Sequence, residues 1–397
     1  MPVRGDKRAC TSAWLASSLT PLIAPALLTA LALTAALPAT VHAQTAYVTR
    51  TFSDLVTPID TTTNTAGPPI VVGSGPVGVA ITPDGRTAYV ANFNSNSVTP
   101  IDTATNTAGP AIATLPGPEG IAIAPDGKTV YVTSRLADAV VPIDTATNTA
   151  GAPVLVGSEP FAIAIAPGGK TLYVGDEGDS SMSVIDTATN SVVATISLSG
   201  PTASIAIMPD GKTAYVVGFA GEVTPIDLAT NTAGATFSAG STSFGIAIAP
   251  DGGTAYVVNE FSGSVTPFLT ATDTALPPIP VTTLAVADAI TPDGKTLYVT
   301  NTGTSPGMTN AVTAISTATN EPEGAPIPIG ELTFEIAITP AQAPTAAFAA
   351  QAGGAGQPTR FDASASSATH GSIATYRWEF GDGTIETTAS ATTSHTY

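Results

Sequence analysis

The residue types that do most enzyme chemistry are scarce in this chain, and their positions narrow what it can do. The three histidines, His42, His370 and His395, and the single cysteine, Cys10, all fall outside residues 44–341. That region therefore cannot build a His- or Cys-ligated zinc, copper or haem site, nor a Ser-His-Asp triad. Its cations are as few. Arg86, Lys128, Lys170, Lys212 and Lys295 each follow a Pro-Asp-Gly or Pro-Gly-Gly turn, which leaves Arg50 and Arg135 elsewhere. What remains is oxygen chemistry. Asp288 and Glu335 are carboxylates inside apolar runs, VADAI (286–290) and FEIAI (334–338), and Glu119, Arg135 and Glu177 are charges near similar runs. A carboxylate placed on a buried strand needs a partner or a proton. Two readings of Asp288 and Glu335 follow: side chains solvated in a water-filled channel, which the sequence favours, or oxygen ligands for a hard cation such as Ca²⁺.

The elements that must position these side chains repeat. A Tyr-Val pair recurs at Tyr47, Tyr89, Tyr131, Tyr173, Tyr215, Tyr256 and Tyr298, at intervals of 42 residues with one of 41. Units of this length without helical periodicity indicate β-propeller blades of four short strands each. The first strand reads GVAITP (78–83) or GIAIAP (120–125, 245–250). Its bulky residues and its recurrent Ala (Ala80, Ala122, Ala164, Ala206, Ala247, Ala289, Ala337) face opposite sides, so neighbouring sheets can pack closely on both. Pro-Asp-Gly turns lead to the second strand, TAYV. The third, SVTPID, runs into TATN, where Asp and Asn are expected to bond their own backbone. This gives Asp60, Asp102, Asp144, Asp186 and Asp227 a structural rather than catalytic role. The fourth strand, as in GPPIVVG, carries Pro and suits only a sheet edge.

Within this frame Asp288 replaces the Ile or Val of the other six first strands, and Glu335 replaces a small residue one position earlier in the adjacent copy. Glu119, Phe161, Phe244 and Phe334 precede the first-strand core at equivalent places. Phe93, Arg135, Glu177, Phe219 and Phe261 come from the loops between second and third strands, and blade seven adds GTSPGMTN at 303–310. Both sets of loops belong to one face. Its aromatics read first as packing residues and second as platforms for a sugar. The candidate ligand-binding residues are thus Asp288, Glu335, Glu119, Arg135, Glu177, Phe93 and Phe261.

The expected fold is all-β: a seven-bladed propeller over 44–341, closed by pairing of the last first-type strand (334–340) with the N-terminal strands. The YVTN at 298–301, with YVAN (89–92) and YVVN (256–259), resembles the YVTN β-propeller repeat family over about 44–341. That resemblance implies an exported or surface protein. Pro58, Pro100, Pro142, Pro225 and Pro267 in the third strand depart from the family pattern, which Val184 keeps. From 342 the composition changes, and YRWEFGDG (376–383) with HTY (395–397) resembles a PKD domain, an immunoglobulin-like sandwich. About 56 residues are fewer than such a sandwich of roughly 100 needs, so this reads as a partial, truncated β-sandwich. Trp378 should be core and Gly381-Asp382-Gly383 a hairpin turn.

Residues 1–43 read as a signal peptide: Arg4, Lys7 and Arg8, an uncharged apolar stretch from Trp14 to Leu37, then Val41-His42-Ala43. A retained membrane anchor is the alternative. The net charge is −18 and the leader carries +2, so the exported chain stands near −20, which repels phosphate backbones and disfavours nucleic acid. With the leader removed no membrane-spanning run remains. The expected function is a monomeric, secreted or cell-surface binding or scaffold protein without enzymatic activity. It would present a variable acidic face to a protein or glycan, with no cofactor other than the Ca²⁺ considered above. The alternatives are a lactonase-like hydrolase on a propeller, and a propeller subunit of a redox complex whose cofactor belongs to another chain.

Overall fold

A computed structural model describes residues 44–281, 284–303, 310–330, 332–341, 346–354, 356–366 and 375–397. The leader 1–43, positions 304–309 of the insertion and His370 lie outside these residues. Contacts divide the chain into a compact unit, Ala43–Ala341, and a second containing Gln342–Tyr397.

In Ala43–Ala341 the described residues form seven antiparallel sheets built on a four-strand path. Six run in chain order. In the first, Thr45–Arg50 and Leu55–Asp60 are joined by a strand from the far end of the unit, Thr333–Ile338, with Ala46 opposite Ile338 and Tyr47 opposite Ala337. The first-type strands Pro76–Ile81, Pro118–Ile123, Pro160–Ile165, Thr202–Ile207, Ser243–Ile248, Ala285–Ile290 and Thr333–Ile338 lie side by side in that order. Thr333–Ile338 touches Pro76–Ile81 as well as Ala285–Ile290.

There is no single central core. Seven apolar clusters lie between consecutive sheets, one of them between the last sheet and the first. The period-two pattern of TAYV explains them. Ala46 and Val48 face Tyr298 and Val312 of the seventh sheet, while Tyr47 faces Ala88, Val90 and Ile101 of the second.

The tyrosines do more than fill space. Tyr47 donates its hydroxyl proton to Asn106 Oδ1 at 2.7 Å, Tyr89 to Asn148 at 2.8 Å and Tyr298 to Asn64 at 2.6 Å. Each clasps the TATN turn of the next sheet. This corrects the expectation for the turn. Asp60 Oδ1 does accept the backbone N–H of Thr62 and Thr63, but the asparagines reach the neighbouring sheet instead. Their backbone sits in the left-handed region, as at Asn64 (φ 53°) and Asn106 (φ 54°), which Asn tolerates better than other non-glycine residues.

The fourth strand is split in six sheets into two-residue pieces, such as Thr65–Ala66 and Ile70–Val71, both paired to the third strand. The fourth sheet alone has a continuous one, Ser191–Ser197. It is the sheet whose third strand has Val184 in place of proline and whose fourth strand has neither proline nor glycine.

In the second unit Ala349–Gln351, Thr359–Asp362 and Thr392–His395 form one sheet, and Tyr376–Glu379 with Ile385–Thr388 a hairpin around Gly381-Asp382-Gly383. Phe361, Ala363, Trp378 and Phe380 make a small core, with the Trp378 indole N–H donating to Thr388 Oγ1 at 3.1 Å. His395 stacks on Phe380, and its Nε2 lies 2.7 Å from Asp382 Oδ2.

Candidate functional site

Where the first-type strands meet they line a cavity of about 230 Å³. Each strand loses register with its partner at this level, for instance between Pro118 and Ile121 and between Ala285 and Asp288. The resulting bulges turn side chains out of the ladder, as bulges beside sites commonly do. Adjacent strands come so close that a Cβ at Gly78 would collide with the Glu119 carbonyl oxygen, and one at Gly120 with that of Phe161. Threonines of the second strands satisfy the backbone freed by the bulges: Glu335 N–H donates to Thr49 Oγ1 at 2.9 Å, and Gly120 N–H to Thr133 Oγ1 at 2.7 Å.

Three of the sequence-predicted residues meet in this cavity, Glu119, Asp288 and Glu335, together with Phe161, Phe244 and Phe334. Asp288 is 9% exposed, and neither carboxylate oxygen makes a well-formed hydrogen bond; only the backbone N–H groups of Ala247 and of Asp288 itself approach it. The reading of Asp288 as freely solvated is therefore corrected: Gly245 on one neighbouring strand lets the carboxylate tuck in, and the sheet stacking covers it. Burial, reinforced by the negative charge of Glu335, pushes its proton affinity well above the usual carboxylate range. Glu335 keeps partial access, accepts only the N–H of Ile336 at 3.2 Å, and is pushed by burial to a pKa of about 7.

On another side of the cavity Glu119 meets Arg135, whose guanidinium lies 3.6 Å from Glu119, 3.1 Å from Glu159 and 2.7 Å from Glu177. The same guanidinium sits 5.6 Å over the Phe161 ring, a cation–π arrangement. Phe161, Phe219 and Phe244 pack edge to face behind it. Burial raises the Glu119 pKa to about 7 even though Arg135 opposes the shift.

The other two candidates lie elsewhere. Phe93 packs into the cluster between the second and third sheets, and Phe261 is 67% exposed in a turn; neither lines the cavity. Two residues gain a role that the sequence did not assign, although each breaks the repeat: Glu159, and Asp176, legible only as part of the locally acidic GDEGDS at 175–180. Glu159 occupies a left-handed position (φ 49°) where earlier repeats use Gly75 and Gly117. Asp176 stands where Asn92, Asn259 and Asn301 stand, is fully buried, and accepts hydroxyl bonds from Ser181 (3.1 Å) and Ser183 (2.7 Å) on a single oxygen. Among the described residues no group of three or more His, Cys, Asp or Glu is arranged to hold a metal ion. No helix among them is long and apolar enough to cross a membrane.

Comparison with known proteins agrees with this architecture. The model of the PKD domain matches residues 341–397. No curated protein matches the chain. Among solved structures, hydrazine synthase of Kuenenia stuttgartiensis is similar with a TM-score of 0.59 at 20% identity, over 79% of this chain and 95% of that one. A functionally unknown protein from Desulfotomaculum acetoxidans and a candidate 6-phosphogluconolactonase from Bacteroides uniformis each reach a TM-score of 0.63 at 16% identity, over 75% of this chain and 99% of theirs. At such identities the likeness is one of fold, and that fold is propeller-like: all-β, of four-strand antiparallel units, followed by a PKD domain.

Proposed function

We propose that this chain is an exported binding protein without enzymatic activity: a seven-bladed YVTN-type propeller over 44–341, closed by Thr333–Ile338, that recognises a partner or ligand at the acidic cavity mouth. The PKD domain would serve as its spacer at the cell surface. The observation that carries this reading is the cavity itself. It gathers three carboxylates beside three phenylalanines, and the buried Asp288 meets no cation and no side-chain donor of the protein's own, only the backbone N–H groups of Ala247 and its own residue. A buried charge left without a partner costs stability, and a binding site is a reason to retain one. Lactone hydrolysis is the competing activity, suggested by one structural relative. It needs a base near neutrality and cations to stabilise the developing oxyanion. Glu119, Asp288 and Glu335 could act as bases, but Arg135, the cation paired with Glu119, is already engaged by three glutamates.

The test is to follow hydrolysis of 6-phosphogluconolactone and of an unphosphorylated lactone by the full chain and by Asp288→Asn. We expect rates equal to buffer for both proteins. Turnover that disappears in Asp288→Asn would make the cavity an active site and end the binding reading.

A further inference from the structure

The two sides of the cavity are built from the same parts but are filled differently. On one side Glu119 and the Phe161 ring hold a cation, the Arg135 guanidinium, which Glu159 and Glu177 also embrace. On the other, Asp288 and Glu335 stand on adjacent strands, Phe244 and Phe334 line the same cavity, and among the described residues no Lys or Arg pairs with either carboxylate. Asp288 has no side-chain donor and no well-formed hydrogen bond, only the nearby backbone N–H groups of Ala247 and its own residue, and Glu335 has a single backbone donor. The chain thus supplies a cation to one acid–aromatic set and none to the other.

Resting on the binding reading above, we propose that this second set takes a primary ammonium on a short aliphatic stem, its charge between Asp288 and Glu335 and its stem along the apolar wall. Three features favour this class. An ammonium carries three N–H donors and no acceptor, matching two carboxylates that have backbone N–H groups but no side-chain donor or cation against them. Phe244, Ile246 and Phe334 are among the residues lining the same cavity and offer carbon to a stem's methylenes. The cavity, at about 230 Å³, lies below the range of roughly 300–1,000 Å³ typical of drug-sized ligands, so it admits a small amine or one side chain rather than an oligosaccharide. A hard dication is less well served, because Ca²⁺ takes six to eight oxygens and the lining side chains offer three carboxylates, of which Glu119 is already paired with Arg135. The ammonium could belong to a free amine or to a lysine of a partner protein.

The experiment is calorimetric titration and thermal melting of the full chain at pH 8, above the value of about 7 to which burial pushes Glu335. The probes are n-butylammonium, Nα-acetyl-lysine amide and CaCl₂. The comparison protein is Asp288→Ile/Glu335→Gly, which installs residues the other repeats carry and so keeps the fold. Asp288→Asn provides a second variant of unchanged shape. We expect saturable binding and a raised melting midpoint with an ammonium probe, weakened about tenfold or more in Asp288→Asn and abolished in the double variant. Preference for the lysine amide over butylammonium would assign a partner's lysine as the source, and the converse a free amine. A response to Ca²⁺ alone, lost in the double variant, would overturn the ammonium while leaving the binding reading intact. Absence of any response, or one that survives in the double variant, would also overturn it. Turnover of a lactone would instead strike the binding reading itself.

Discussion

At the scale of single residues the repeat acts as an internal control, because each position is answered six times elsewhere in the chain. Asp176 shows its use. Asn92 and Asn259, at the same place, donate from Nδ2 to Thr99 and Thr266, both at 2.9 Å. Asp176 has only lone pairs to offer, and burial pushes its pKa to about 6 although Ser183 and Ser181 oppose the shift. A carboxyl that binds its proton more tightly in the folded than in the unfolded chain weakens the fold as pH rises between the two values, and the full cost stands above the higher one. With about 1.4 kcal/mol for each tenfold change, Asp176→Asn should stabilise the chain by up to about 3 kcal/mol at pH 8 and by little at pH 4. Denaturant melts at those two pH values measure it. Equal midpoints for the two proteins at pH 8 would mean that Asp176 is not desolvated as described.

At the scale of elements, the outermost strand is set by where proline and glycine fall. The third strand pairs with the second even where it carries proline, as Pro58 does opposite Tyr47, so proline spares the inner ladder. The fourth strand beyond it is split in every sheet except that of Val184, which pairs with Ala194 in a seven-residue partner. Proline removes a donor and fixes φ, so within a sheet it deletes a ladder hydrogen bond and leaves its acceptor unsatisfied, a cost of about 1–3 kcal/mol. Val184→Pro should therefore divide Ser191–Ser197 in two and destabilise the protein by about 1–3 kcal/mol. Faster amide exchange at Ala194 and Thr195 would report the division, and unchanged protection there would refute the assignment.

At the scale of the whole molecule, the sheets are held to one another by the clusters and tyrosine clasps, and the cavity is what remains where the first-type strands converge. That convergence places charge where solvent cannot screen it. Glu119 and Glu335 are pushed to about 7 by burial, and Asp288 is pushed well above the usual carboxylate range by burial and by Glu335. Their charged neighbours around the cavity are one another and Arg135, with Glu159 and Glu177 around the latter. All three carboxyls hold protons more tightly in the folded chain. Stability should accordingly fall as pH rises from the ordinary carboxylate range, about 4.5, to beyond 7. Melting midpoints across pH 4–9 test this, and Asp288→Ile/Glu335→Gly should flatten much of the slope. An unaltered slope in that variant would place the titrating groups elsewhere.

What the sequence determined by itself was everything that local periodicity and turn chemistry control. Alternation in TAYV set which side chains face which neighbouring sheet, Pro-Asp-Gly and TATN set the turns, and substitutions such as Asp288 and Glu335 stood out against the other repeats. The TATN asparagines were only half legible: their turn was read correctly, but their bond to the next sheet's tyrosine depends on how sheets stack. The site was legible in the same uneven way. Glu119, Asp288 and Glu335 are separated by up to 216 residues of chain, and only the convergence of their strands and the bulges that turn them inward bring them to one cavity. The same stacking placed Phe93 in a core, left Phe261 in solvent, and gave Arg135 to three glutamates, one of which, Glu159, drew no notice in the sequence. Strand pattern is a property of neighbours along the chain; burial and charge pairing are properties of neighbours in space.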